Sequence, residues 1–159
     1  MKVVIIYDSL FGNTKKIAES IKSGFGDEFD TKIIHAKEAK STDVENIDLL
    51  IIGSPTHAGS FTKAIKKFIS SLSNSALENI KVCTFDTSIP SEGQGAFGKF
   101  IIKVFKNASP RLMKALVNKG GQEVSKEIFW VLDSEGPLMD GESVRAEKWT
   151  EEICETVRL

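Results

Sequence analysis

VVIIYDSLFGNTKKIAE, residues 3–19, sets the reading of the whole chain. Five apolar, largely β-branched residues end at Asp8. A loop with two hydroxyl residues, one glycine and one asparagine follows, and a helical pattern then begins. A short apolar run of this kind is a strand buried on both faces, as central strands of parallel sheets are. The loop DSLFGNT has two readings on spacing alone. It is a tight turn with Asn13 or Thr14 capping the helix, or it is a cradle for an anion at the helix start.

Moving outward, the pattern repeats. LLIIG (49–53), KVCTF (81–85) and EIFWVL (127–132) read as further buried strands, and TKIIH (31–35) as a weaker one nearer an edge. Ile17, Ala18, Ile21 and Phe25 share a helical face, with Gly24 and Gly26 at its expected stop. Ala64, Ile65, Phe68, Ile69 and Leu72 share another after Thr62. Ala146, Trp149, Ile153 and Val157 mark a closing helix that starts near Asp140. Between strands four and five, residues 96–108 carry Phe97, Phe100, Ile101, Val104 and Phe105 on one stripe. SPRLMKALVNKGG then predicts a second helix, with Ser109 as N-cap, Pro110 in the first turn and Gly120 past the end. Strands alternating with helices predict an α/β fold with a doubly wound parallel sheet. Ligands of such folds bind beyond the carboxyl ends of the strands, so the loops after Tyr7, Gly53, Phe85 and Leu132 carry the interest.

Composition narrows the classes. At 159 residues, 41% hydrophobic and 27% charged, the expectation is one globular domain over 1–159. A net charge of -1 gives no bulk attraction to nucleic acid, and no nucleic-acid partner is expected. Cys83 and Cys154 fit neither a disulfide framework nor a metal site and read as buried, reduced thiols. No apolar run reaches the roughly 20 residues of a membrane span, and residues 1–7 are too short for a signal peptide. The expectation is a soluble, cytoplasmic chain with no metal.

The first loop has neither Walker A spacing nor G-x-G-x-x-G. Its donors are neutral: backbone N–H groups with Ser9, Asn13 and Thr14, and Gly12 for close approach. The second loop, GSPTHAGSFT (53–62), reads as ordered because of Gly-Ser-Pro. In it His57 either meets a flat ligand or is a solvated loop residue, the commoner case. His35 reads as a surface residue. The third loop, FDTSIPSEGQGAF (85–97), offers Asp86, Thr87 and Ser88 as a dense hydrogen-bonding set.

Three such loops at successive strand ends resemble those of flavodoxin-type FMN-binding domains. Ser9, Phe11, Gly12 and Thr14 stand at the positions of the family's phosphate motif, [ST]-x-[aromatic or Thr]-G-x-T. GSPT (53–56) and FDTS (85–88) are similar to the starts of the second and third flavin loops. The resemblance implies a three-layer, five-stranded sheet in the order 2-1-3-4-5. It implies FMN, with the phosphate held by Ser9, Leu10, Phe11, Gly12, Asn13 and Thr14. It places Pro55, Thr56, His57, Ala58 and Gly59 along one side of the ring, and Phe85, Asp86, Thr87 and Ser88 along the other side and its pyrimidine edge. It implies electron transfer between redox protein partners, a reductase and an acceptor, with no catalytic residue. The flavin does that chemistry and the protein tunes it.

The chain departs from the family in two ways. His57 and Ile89 stand roughly where a tryptophan and a tyrosine commonly sandwich the ring, which implies a less negative potential. The charge is also uneven. Gly93 to Gln122 holds six basic residues and no acidic one, whereas Glu123 to the end holds ten acidic and four basic. Residues 97–119 are read either as a solvated face or as a contact for an acidic partner or a membrane surface. An FMN-dependent quinone reductase, or a relative of menaquinone-linked protoporphyrinogen oxidases, is the alternative function. A flavodoxin fold without cofactor is a third. A receiver domain would need clustered acids after strand one, and a low-molecular-weight tyrosine phosphatase would need C-x5-R in the first loop. Neither pattern is present.

Overall fold

The computed structural model describes residues 1–56, 59–90 and 108–158. His57, Ala58 and residues 97–107 of the basic stretch, with the first of the two expected tandem helices, lie outside the described residues. Five strands form one sheet: β1 (Lys2–Tyr7), β2 (Asp30–His35), β3 (Leu49–Pro55), β4 (Lys81–Ser88) and β5 (Gln122–Trp130). All neighbouring pairs are parallel and the order is β2-β1-β3-β4-β5, as expected. Four helices are described: α1 (Asn13–Gly24), α2 (Lys63–Ser71), α3 (Ala108–Val117) and α4 (Glu142–Val157).

The apolar runs are unbroken because the inner strands bury both faces. Val3, Ile5, Leu49, Ile51, Cys83 and Phe85 pack toward α1 and α4, with Ile17, Ile21, Trp149 and Ile153. The alternate residues Val4, Ile6, Leu50, Ile52 and Val82 pack toward α2 and α3, with Ile65, Phe68, Leu112 and Leu116. Both cysteines are free and buried, and burial pushes the Cys83 thiol up to about 12. Among the described residues no helix is long and apolar enough to cross a membrane.

Two local expectations change. β5 begins at Gln122, five residues before the apolar run, because Gln122, Glu123 and Lys126 are polar and exposed on an edge strand and hide its start. Ser109 lies inside α3 and does not cap it; its hydroxyl sits 2.8 Å from that of Thr84. Thr62 does cap α2, accepting the Ile65 N–H at 3.5 Å.

Register levels the strand ends. Tyr7 pairs with Gly53, Gly53 with Phe85, and Pro55 with Thr87. Gly53 is required by Phe85, whose fully buried ring lies where a side chain would project. A Cβ at Gly53 would come within 2.0 Å of Phe85 Cζ. Gly53→Ala is therefore expected to destabilise by about 3 kcal/mol through overpacking. Urea unfolding checks this; a midpoint equal to that of the parent chain would contradict it.

Candidate functional site

A cavity of about 320 Å³ opens at the carboxyl edge of the sheet. Ser9, Leu10, Phe11, Asn13 and Thr14 line it from the first loop, Pro55 and Thr56 from the second, and Thr87, Ser88 and Ile89 from the third. Val131 and Ser134, beyond β5, complete the described wall. Those two were not assigned from sequence. The only signal for them is topological: the loop after Leu132 shares the sheet edge with the other three.

The first loop is shaped for an anion. Gly12 precedes α1 with φ +88°, a left-handed conformation that disfavours other residues, and as N-cap it brings no side chain of its own. Ser9 Oγ accepts the Gly12 N–H at 3.0 Å and the Lys15 N–H at 3.4 Å. Among the described residues no protein group accepts the N–H of Asn13 or Thr14, and both residues line the cavity. These are unpaired donors at the positive end of a helix dipole, the chemistry a phosphate needs. The Asn13 amide donates to the Glu135 carbonyl at 2.9 Å and ties this loop to the one after β5. Thr14 and Thr87 hydroxyls meet at 2.8 Å and join the first loop to the third. Leu10 and Phe11 are exposed at the rim.

His35 is not a free surface residue. Its Nδ1 accepts the Lys37 N–H at 3.2 Å, so Nε2 carries the proton and faces Asp8 Oδ1 at 3.3 Å. Asp8 is buried and also accepts the Ser9 N–H at 3.0 Å. The pair therefore fixes the point where β1 turns into the loop. Periodicity could not show this, because β2 and β1 meet only through the sheet order.

Behind the third loop, Phe85 turns into the core against Phe129 and Trp149 and leaves the cavity to its neighbours. Gly59 has φ +72° and is not among the described lining residues. Asp86 is fully buried behind the wall. Ser88 Oγ lies 2.7 Å from Asp86 Oδ1 and 2.8 Å from Thr56 Oγ1. With one proton, Ser88 donates to the carboxylate and accepts from Thr56. The Ser109 N–H donates to Asp86 Oδ2 at 2.8 Å, and the Ala108 N–H to Thr56 Oγ1 at 3.1 Å. Two cavity loops thus cap α3 from outside, the role expected of Ser109.

Burial pushes the Asp86 carboxyl above the ordinary 3.8, against the opposing hydrogen bonds from Ser88 and the Ser109 N–H. A folded-state pKa above the unfolded one gives stability that is present below 3.8 and lost as pH rises through the folded value. The parent chain is expected to lose stability over that window relative to Asp86→Asn. Urea midpoints measured from acid to neutral pH check it; a constant difference between the two proteins would contradict it.

Comparison with known proteins agrees with this geometry. Residues 4–122 match the Flavodoxin domain family. A flavodoxin-like domain-containing protein, BilS, of Clostridioides difficile is 32% identical over 111 residues, 70% of this chain and 60% of that protein. A flavodoxin of Aquifex aeolicus is 39% identical over 69 residues, 42% of this chain and 37% of that protein. The chain thus spans less than two thirds of either relative. The flavodoxin structure from Streptococcus pneumonia TIGR4 superposes with a TM-score of 0.73 at 16% identity, covering 98% of this chain and 99% of that one. At that identity the superposition speaks for the fold alone. The family match runs from β1 to the start of β5 and takes in the three cavity loops up to Ile89, and on it the chain belongs to the flavodoxin domain family.

Proposed function

We propose that this chain binds FMN in the cavity at the sheet edge and carries electrons at low potential between redox protein partners. The observation that carries the reading is the pair of unspent N–H donors at Asn13 and Thr14, opening into a cavity whose walls come from three strand-end loops. A phosphate fits there without a counter-charge from the side chains, since Ser9, Asn13 and Thr14 are neutral. Pro55, Thr56, Thr87, Ser88 and Ile89 line the cavity beside the phosphate cradle, and the family resemblance assigns the ring slot to these two loops. When bound, FMN supplies the one- and two-electron chemistry. The chain's own residues hold the phosphate, set the slot and fix the third loop through Asp86 and Ser88.

A second reading, an FMN-dependent reductase of quinones or a related protoporphyrinogen-oxidase-like activity, draws on the missing tryptophan and tyrosine of the sandwich. Pro55, Ile89 and Val131 line the cavity, and Ile89 stands roughly where the resemblance puts a tyrosine. α3 buries Leu112, Met113 and Leu116 and carries Arg111 and Lys114 with no acidic residue. A basic contact to an acidic partner or a membrane through residues 97–119 belongs to this reading. Steady turnover of quinone with NAD(P)H would favour it over the carrier.

The cradle predicts selectivity for the phosphate. FMN is expected to bind roughly a hundredfold tighter than riboflavin, from about 3 kcal/mol of charge-assisted hydrogen bonding. Ser9→Ala and Thr14→Val should weaken FMN and leave riboflavin nearly unchanged in a fluorescence-quenching titration. Equal affinity for the two flavins would overturn the phosphate assignment. With His57 and Ile89 in place of the tryptophan and tyrosine, the bound flavin should titrate at a potential less negative than in aromatic-sandwiched flavodoxins. A spectroelectrochemical titration giving an equally low value would contradict this.

A further inference from the structure

The near-zero net charge hides one helical face with a basic excess. α2 and α3 pack on the same sheet face, and together they carry Lys63, Lys66, Lys67, Arg111 and Lys114 with no acidic residue. The opposite face is mixed: α4 carries Glu142, Glu147, Glu151, Glu152 and Glu155 against Arg145 and Lys148, and α1 carries Lys15, Lys16 and Lys22 against Glu19. On the basic side a groove of about 540 Å³ runs between α2 and the turn after β2. Four exposed lysines line it, Lys37 and Lys40 from the turn and Lys63 and Lys67 from α2. Its floor is apolar, made by Ala36, Ala39, Ala64 and Phe68.

Among the described residues none of the four lysines forms an ion pair. The nearby Asp43 is already engaged, 2.9 Å from Lys32 and hydrogen-bonded by the Lys40 N–H at 2.8 Å. Glu38 on the same turn is the one exposed acid among them. The groove also reaches the cofactor cavity. A smaller hollow of about 270 Å³ shares Lys37, Lys63 and Ala64 with it and reaches Leu10, which lines the cavity rim.

We propose that this lysine-lined groove is the docking surface for an acidic protein partner, whose carboxylates meet Lys37, Lys40, Lys63 and Lys67 while an apolar side chain seats on the floor. Exposed lysines are mobile point charges that steer and orient a protein of opposite charge. A small phosphorylated ligand would be better served by arginine forks or clustered N–H groups. A flat bilayer would touch the lysine tips and leave the concave floor uncovered. A partner seated here would lie beside Leu10 and Phe11, at the mouth of the cavity, with the apolar centre and charged rim of a protein interface. In that consequence the proposal rests on the electron-carrier reading; the docking itself does not.

The test is an amide NMR titration of the full chain, with and without FMN. The probe is a glutamate-rich peptide with leucine at every fourth position. An all-glutamate peptide, phosphatidylglycerol vesicles and inorganic pyrophosphate serve as comparisons. Shifts are expected at residues 37–40 and 63–67, with the leucine peptide binding tighter than the all-glutamate one and weakening from low salt to about 0.15 M. Combining Lys37→Glu, Lys63→Glu and Lys67→Glu should lower affinity about tenfold or more. Lys148→Glu on α4 should leave it unchanged. The neutral pair Lys63→Gln and Lys67→Gln repeats the measurement if charge reversal impairs folding. Shifts spread equally over Lys15, Lys22 and Lys148, no binding at low salt, or engagement of vesicles or pyrophosphate but not the peptide would overturn the proposal. Peptide binding without FMN binding would sink the carrier reading and leave the groove standing, and the converse holds.

Discussion

Ile5, Ile6, Ile51 and Ile52 sit in neighbouring strands without measurable exposure on either face of the sheet. That two-sided burial is the constraint on which the rest depends. A strand buried on both faces must be internal, so β1 and β3 lie at the centre and both sheet faces must be covered by helices. Parallel pairing then brings every carboxyl end to one edge, and the register holds Tyr7, Gly53 and Phe85 at one level. The three polar loops meet because the core leaves them no other arrangement.

The loops are then joined by specific bonds. Thr14 to Thr87 links first and third, Ser88 to Thr56 links third and second, and Asn13 to Glu135 brings in the loop after β5. Beneath them two buried carboxylates have different partners. Asp8 is held by His35 and the Ser9 N–H. Asp86 takes the first-turn N–H of Ser109 and the Ser88 hydroxyl, so α3 is anchored on the wall of the site. A buried carboxylate whose partners are hydrogen-bond donors fixes geometry more than it adds stability. What remains unspent is the N–H pair at the start of α1.

Much of this was legible in residue order. The apolar runs around Ile5, Ile51 and Val82 gave the inner strands, since two-sided burial leaves an unbroken hydrophobic signature. The loop from Ser9 to Thr14 was recognisable because its glycine and hydroxyls sit directly between strand and helix. The start of β5 was not, because its first residues, Gln122 and Glu123, are polar and exposed as those of a loop are. Phe85 sits in the third loop's sequence yet turns into the core, a direction set by strand parity at Gly53. The Asp8–His35 and Asp86–Ser109 contacts join residues far apart in the chain. Strand pairing brings the first two together and the packing of α3 against β4 the second two, and no local pattern encodes either.

If the open N–H groups at the start of α1 hold the phosphate of FMN, their resonances must respond to it. A nitrogen-15 amide spectrum recorded during FMN addition tests this most directly. The largest downfield movements are expected at Asn13 and Thr14, together with smaller ones at Thr87 and Ser88, and no such movement at the first two when riboflavin replaces FMN. Amides of Asn13 and Thr14 that stay in place while FMN saturates the protein would contradict it.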